Sequence, residues 1–309
     1  MNLTIANLSS NITPQDFQRV VTAIGRQVTE HFQPEWGKAG KLKAIALTVG
    51  PNAAPIDTSQ QAIIYVGDDS QDPTTGVENA LGYHARNNGK IPFGFVYLDV
   101  CAKYGEEWST TLSHEVLELL EDPTAVKSIT GPAPSNPERT VYYDLEVCDP
   151  TQGDSYEIDG VTVSNFVGRA YFGQSGGSGK TNYLDLPLDP FGVRPKGYFQ
   201  YEYGSRVYQV NGQKVTQSML DAKRSLGRGR RNARRAERLE RDASVSVSGT
   251  TGTSGSSVTG TLTVHFEGAP LSLAPSTGAR PPRDSTFAIG GSTGTTGGSV
   301  GGTLNIRLG

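Results

Sequence analysis

The sequence predicts an α+β chain built from two unlike parts and a basic connector. Three observations carry that prediction. Over residues 1–220, stretches with period-two apolar patterning are interspersed with stretches of period 3.6, the pattern of strands and helices around a mixed sheet. Residues 221–242 then hold 9 basic and 4 acidic side chains, a net of +5, after a first part whose 16 basic and 25 acidic side chains give −9. From residue 243 the chain becomes a Gly/Ser/Thr-rich tail with an internal repeat. The expected organisation is an α+β domain over 1–220, a connector helix over 221–242 and a β-rich assembly module over 243–309.

In chain order, Thr13-Pro14-Gln15-Asp16 opens a helix, and Phe17, Val20, Val21, Ile24 and Val28 recur at helical spacing until Pro34-Glu35-Trp36-Gly37 ends it. Strands are expected over 42–49, 61–66 and 92–100. A short helical or irregular piece carries Leu81-Gly82-Tyr83-His84. A helix follows over 109–123, then a Pro/Ser-rich loop over 124–138 and a strand over 140–147. Residues 149–159 read as an acidic loop, with oxygens suited to calcium as an alternative role. Short strands are expected over 161–166, 170–172, 198–203 and 207–210. Cys101 and Cys148 are two cysteines only, too few for a disulfide framework, and their apolar surroundings predict buried free thiols. No apolar run approaches bilayer length, so no membrane contact is expected. Residues 1–11 lack a basic region and an apolar core, which predicts no signal peptide and a cytoplasmic or virion location.

The helix over 109–123 concentrates the chemistry. Ser109 or Thr110 can cap its start, and Pro123 stops it. At 100° per residue, Leu112, Val116, Leu119 and Leu120 share one face, while His114, Leu117, Glu118 and Glu121 share the other. An imidazole and a carboxylate therefore project together one turn apart. That is the spacing of the zincin helix, in which ligands at i and i+4 hold a metal and the Glu after the first is the general base. Here the pattern is His-Glu-x-x-Glu: His114 and Glu118 as metal ligands, Glu115 as the catalytic base. The alternative is an amphipathic helix with a solvated acidic face. A catalytic metal normally takes a third protein ligand, and three candidates remain: His84, Glu146 and Asp149. His84 suits zinc or divalent iron; either carboxylate also admits manganese. In a strand Glu146 and Cys148 share a face and Asp149 points away unless the chain has turned. Tyr83 or Tyr143 could supply an oxyanion donor. The expected cofactor is a divalent metal, zinc first.

The tail repeats itself at an offset of 42 residues: Thr251–Val264 matches Thr293–Ile306. Val258, Leu262 and Val264 alternate in the first copy, and Val300, Leu304 and Ile306 in the second, as in half-buried strands. So few apolar side chains hardly make a core alone. Residues 243–309 are expected to pair with copies of themselves, as a homo-oligomer, or with an assembly partner. In the connector, Arg231, Arg234, Arg235 and Arg238 form a positive stripe, suited either to solvent and the acidic first domain or to an acidic partner or nucleic acid at 223–241.

Five motifs occur in order: Gln27 through Gly37, Leu81-Gly82-Tyr83-His84, Trp108 through Glu118 with Asp122-Pro123, Glu146-Val147-Cys148-Asp149, and Val163-Ser164-Asn165-Phe166. As a set, over residues 15–210, they resemble an uncharacterised family of bacterial and phage proteins with a zincin-like core. The resemblance implies a metallopeptidase-type fold with His114, Glu115 and Glu118 in the helix positions. A basic helix followed by a repetitive β tail is similar to what virion proteins use for attachment. Two functions follow as expectations: a metal-dependent, peptidase-like hydrolase carried on an assembly module, or a non-catalytic virion protein, such as a capsid decoration or tail component, that keeps the fold.

Overall fold

The computed structural model describes residues 1–46, 62–70, 80–86, 91–204, 206–214, 257–264 and 285–292. The chain divides into two compact units, Met1–Arg234 and Arg235–Gly309.

The first unit is α+β with a mixed sheet. Strand β1 (Asn2–Asn7) lies inside that sheet, parallel to β2 (Lys41–Ala46) on one side and to β3 (Ala62–Gly67) on the other. The sheet continues through β5 (Pro92–Tyr97), parallel to β3, to the edge strand β4 (Gly82–Arg86), which runs antiparallel to β5. Residues 3–7 of β1 are buried, as an interior strand requires. The sequence reading contained no strand there. It also made 81–84 helical or irregular, whereas Tyr83 and His84 belong to β4, whose alternation sends them to opposite faces.

Helix α1 (Pro14–Arg26) starts as expected: Thr13 accepts a hydrogen bond from the Asp16 N–H, with Pro14 in the first turn. It runs into a π-helical turn, Gln27–Phe32, and then α2 (Gln33–Trp36), closed by Gly37 in the left-handed region at φ +68°. Strand β5 is shorter than expected because Leu98 already starts α3 (Leu98–Tyr104), which stops at left-handed Gly105.

Helix α4 (Trp108–Glu121) packs against β4, β5 and, on another side, β9 (Val161–Ser164). Its first turn is not capped by Ser109 or Thr110. The Ser109 hydroxyl donates to the Thr162 carbonyl at 2.8 Å, which ties the helix to β9. Ser113 fixes its rotation: its hydroxyl donates to Gln27 Oε1 at 2.7 Å and accepts from the Ser164 N–H at 2.9 Å.

The segment expected as a loop, 124–138, contributes a hairpin of β6 (Ser128–Ala133) and β7 (Asn136–Asp144). With β10 (Tyr198–Tyr203) and β11 (Arg206–Asn211) it forms a second, antiparallel sheet in the order β11-β10-β7-β6. Pro132 is accommodated because β6 is an edge strand. β8 (Ser155–Ile158) and β9 make a separate hairpin turned by Asp159 and Gly160, both at positive φ. Residues 169–172 form a 3₁₀ turn rather than a strand.

In the second unit, β12 (Ser257–Val264) pairs antiparallel with β13 (Ser285–Ser292). The first repeat copy thus contributes a strand, as its alternation suggested. The second copy and the basic connector stripe lie outside the described residues. Among the described residues, no helix is long and apolar enough to cross a membrane.

Candidate metal centre

The polar side of α4 does not face water. His114, Glu115 and Glu118 are 6%, 2% and 1% exposed, which removes the reading of a solvated acidic face. What covers them arrives from elsewhere. Strand β4 brings His84. The segment after β7 brings Glu146, Cys148 and Asp149. Because β7 ends at Asp144, residues 145–148 are not a strand, and Asp149 opens a 3₁₀ turn, Asp149–Thr151. Strand alternation therefore does not force a choice between Glu146 and Asp149, and both side chains reach the cluster.

The distances define two neighbouring groups. His114 Nε2 lies 3.3 Å from Glu118 Oε1 and 3.2 Å from Asp149 Oδ1. It lines up a hydrogen bond with neither, although its side chain is only 8% exposed. His84 Nδ1 lies 3.3 Å from Glu115 Oε2 and 3.7 Å from Glu118 Oε2, while its Nε2 is 3.7 Å from Glu146 Oε2. All five side chains expected as ligands, and the expected base, are thus in one buried cluster.

Burial alone would lower the His114 pKa. The carboxylates packed against it, the charge of Glu118 first, then the close contact with Asp149 and the charge of Glu115, more than offset this and carry it up to about 10. Burial pushes the Glu118 carboxyl up, but the two imidazoles, His114 first, together with a hydrogen bond to Glu146, hold it well below the usual carboxylate range. Glu118 Oε1 also accepts the backbone N–H groups of Cys148 and Asp149, at 3.1 and 3.2 Å, so the helix carboxylate anchors the turn that carries its neighbours.

Three participants were not singled out from sequence. Cys148 forms a compact donor group with His114 and Glu118 in which all ligand atoms lie within 4.8 Å of one another. A thiol between two carboxylates three residues apart, Glu146 and Asp149, was the available signal. Burial raises this thiol's pKa well above normal, so it would ligate only as a thiolate formed against a cation. Tyr198 donates its hydroxyl to Asp149 Oδ1 and orients it. Gly82 leaves room for the base: a Cβ there would stand 2.8 Å from the Phe95 carbonyl oxygen and 3.0 Å from Glu115 Cγ and Oε1.

The oxyanion candidates divide. Tyr143 belongs to the second sheet and donates to the Pro132 carbonyl at 2.5 Å. Tyr83 lies in the same strand as His84 and stacks on Phe95. The acidic loop does not converge on a calcium site. Asp154 pairs with Arg194 at 2.7 Å, Asp159 with Arg26 at 2.5 Å, and Asp149 turns to His114.

The cluster opens at one side. His114 and Glu115 line a small cleft with Leu81, Thr111, Gln152 and Ser164. Imidazole, carboxylate and thiol donors, buried and held by hydrogen bonds from behind, are a set that could hold a divalent metal ion. His114 Nε2 stands close to two carboxylate oxygens, so that on losing its proton it could share a cation with them. Cys101 and Cys148 are both free and buried. No protein-family model matches the chain, and searches of curated proteins and of solved structures return no match either.

Proposed function

We propose that the first unit is a zincin-like, metal-dependent hydrolase of the peptidase type, carried on an assembly module formed by residues 243–309. The observation that carries this reading is the convergence of His114 and Glu118 with buried donors from 146–149, while Glu115 sits beside them on the cleft wall. His114 and Glu118 would hold the ion, with Cys148 or Asp149 as the third donor, and this mixed nitrogen, oxygen and sulfur set is best suited to zinc. When bound, such an ion supplies a Lewis acid that polarises a scissile carbonyl and acidifies water.

The chain's own groups do the rest. Glu115 takes the proton from the attacking water and passes it to the leaving amine nitrogen as the C–N bond breaks. His84, 3.3 Å from Glu115 Oε2, fixes the direction of that carboxylate, and Gly82 lets it lie against the edge strand. Among the described residues β4 is the last strand of its sheet, a position from which an extended peptide could add by β-augmentation.

A second reading is a non-catalytic virion protein that keeps the fold for structure. It draws on Glu118 Oε1, which already accepts two backbone N–H groups and so has a structural task without a metal. Glu115→Gln separates the two. The hydrolase reading expects unchanged metal content and a loss of peptide or amide hydrolysis by at least about 100-fold. Equal hydrolysis by the variant would exclude Glu115 as the base. A metal-free protein without hydrolysis would favour the structural reading.

A further inference from the structure

We infer that the centre holds two divalent cations, bridged by Glu118. The inference rests on the metal reading above and adds a second ion to it. Two buried donor triads share this one carboxylate: His114, Glu118 and Cys148 form one, and His84, Glu118 and Glu146 the other. Within each triad the ligand atoms lie within 4.8 Å of one another. The two oxygens of Glu118 are divided between the triads. Oε1 is 3.3 Å from His114 Nε2, and Oε2 is 3.7 Å from His84 Nδ1. A carboxylate that turns one oxygen to each of two imidazoles has the arrangement of a bridging ligand, and ions in two-metal sites stand about 3.5–4 Å apart.

All six side chains, Glu115, Glu118, Glu146, Asp149, His84 and His114, are buried, so the two triads form one continuous donor cluster. The buried His114 nitrogen lies 3.3 Å from Glu118 Oε1 and 3.2 Å from Asp149 Oδ1, which places it on the Oε1 side of the shared carboxylate. The triads also differ in hardness. The His114 triad includes sulfur, whereas the His84 triad offers one nitrogen and two carboxylates, a set that favours manganese or iron.

The test uses the full chain, stripped with a chelator and refilled with Mn²⁺ alone. Bound manganese is counted by elemental analysis after desalting, and its electron paramagnetic resonance spectrum is recorded. The expected result is two ions per chain with the multiline signal of a coupled pair. His84→Ala and Glu146→Gln should each fall to one ion with an uncoupled six-line signal. One ion per chain, unchanged in His84→Ala, would overturn the inference and leave a single-ion centre at His114, with His84 only positioning Glu115. No bound ion would sink both the inference and the metal reading. Should the variants fail to fold, as judged by circular dichroism, the count and the coupling in the unaltered chain decide the matter by themselves.

Discussion

Replacing Glu118 by Ala and by Gln separates its structural task from its charge. In the metal-free chain, Glu118 Oε1 accepts the N–H groups of Cys148 and Asp149 at 3.1 and 3.2 Å, in a residue 1% exposed. Alanine leaves both donors buried and unpaired. At about 1–3 kcal/mol for each such donor, the loss is about 2–6 kcal/mol for the pair. In a unit of this size that corresponds to a fall in Tm of about 5–20 °C. Glutamine keeps an oxygen in the same place, and its NH₂ can donate to Glu146. It also removes the charge that pairs with His114, so Glu118→Gln should fall between the unaltered chain and Glu118→Ala in stability. The assay is urea and thermal unfolding in EDTA, followed by the same series with added Zn²⁺. With metal, the unaltered chain should gain stability by mass action and Glu118→Gln should gain little. Equal stabilities of the Ala and Gln variants in EDTA would refute the anchoring role of Glu118.

Further outcomes follow from the same geometry. Gly82→Ala should cost about 1–3 kcal/mol through overpacking and impair hydrolysis more than metal content, because the new methyl meets Glu115 at 3.0 Å; unfolding curves and metal analysis of the variant check both. In the metal-free chain the His114 pKa is raised from 6.5 to about 10, so the folded state binds a proton that the unfolded state releases. Its contribution is fully present below about pH 6.5 and is lost as pH rises through about 10. Urea midpoints in EDTA should fall over that window, and His114→Ala should flatten the fall. Because metal must displace that proton, metal affinity should rise with pH, which titration calorimetry in two buffers detects. Cys101 and Cys148 are buried, with the Cys101 pKa at about 11, so a thiol reagent should count no reactive thiol in the native chain and two after unfolding.

Much of the centre was legible in sequence where its logic is local. The spacing of His114 and Glu118 places both on one side of a helix, and Pro123 bounds that helix, whatever surrounds it. Burial of that side was not legible, because it depends on β4 and on residues 145–149, which come from other parts of the chain. The early end of β7 at Asp144 could not be seen in the apolar run to Val147, and it is what allows both Glu146 and Asp149 to turn inward. Pro132 made 124–138 look like loop, since proline usually argues against a strand; its place on the edge strand β6 removes the conflict. The interior strand β1 was missed because a six-residue apolar alternation has little periodic signal of its own, and pairing on both sides defines it.

The central claim is that the cluster around α4 is a metal centre. Elemental analysis of the full chain, purified without chelator beside its His114→Ala and Glu118→Gln variants, tests it most directly. The account predicts a divalent transition metal bound in stoichiometric amount to the unaltered chain and largely lost from both variants. A metal-free chain whose Tm does not move with added Zn²⁺, Mn²⁺ or Fe²⁺ would contradict it.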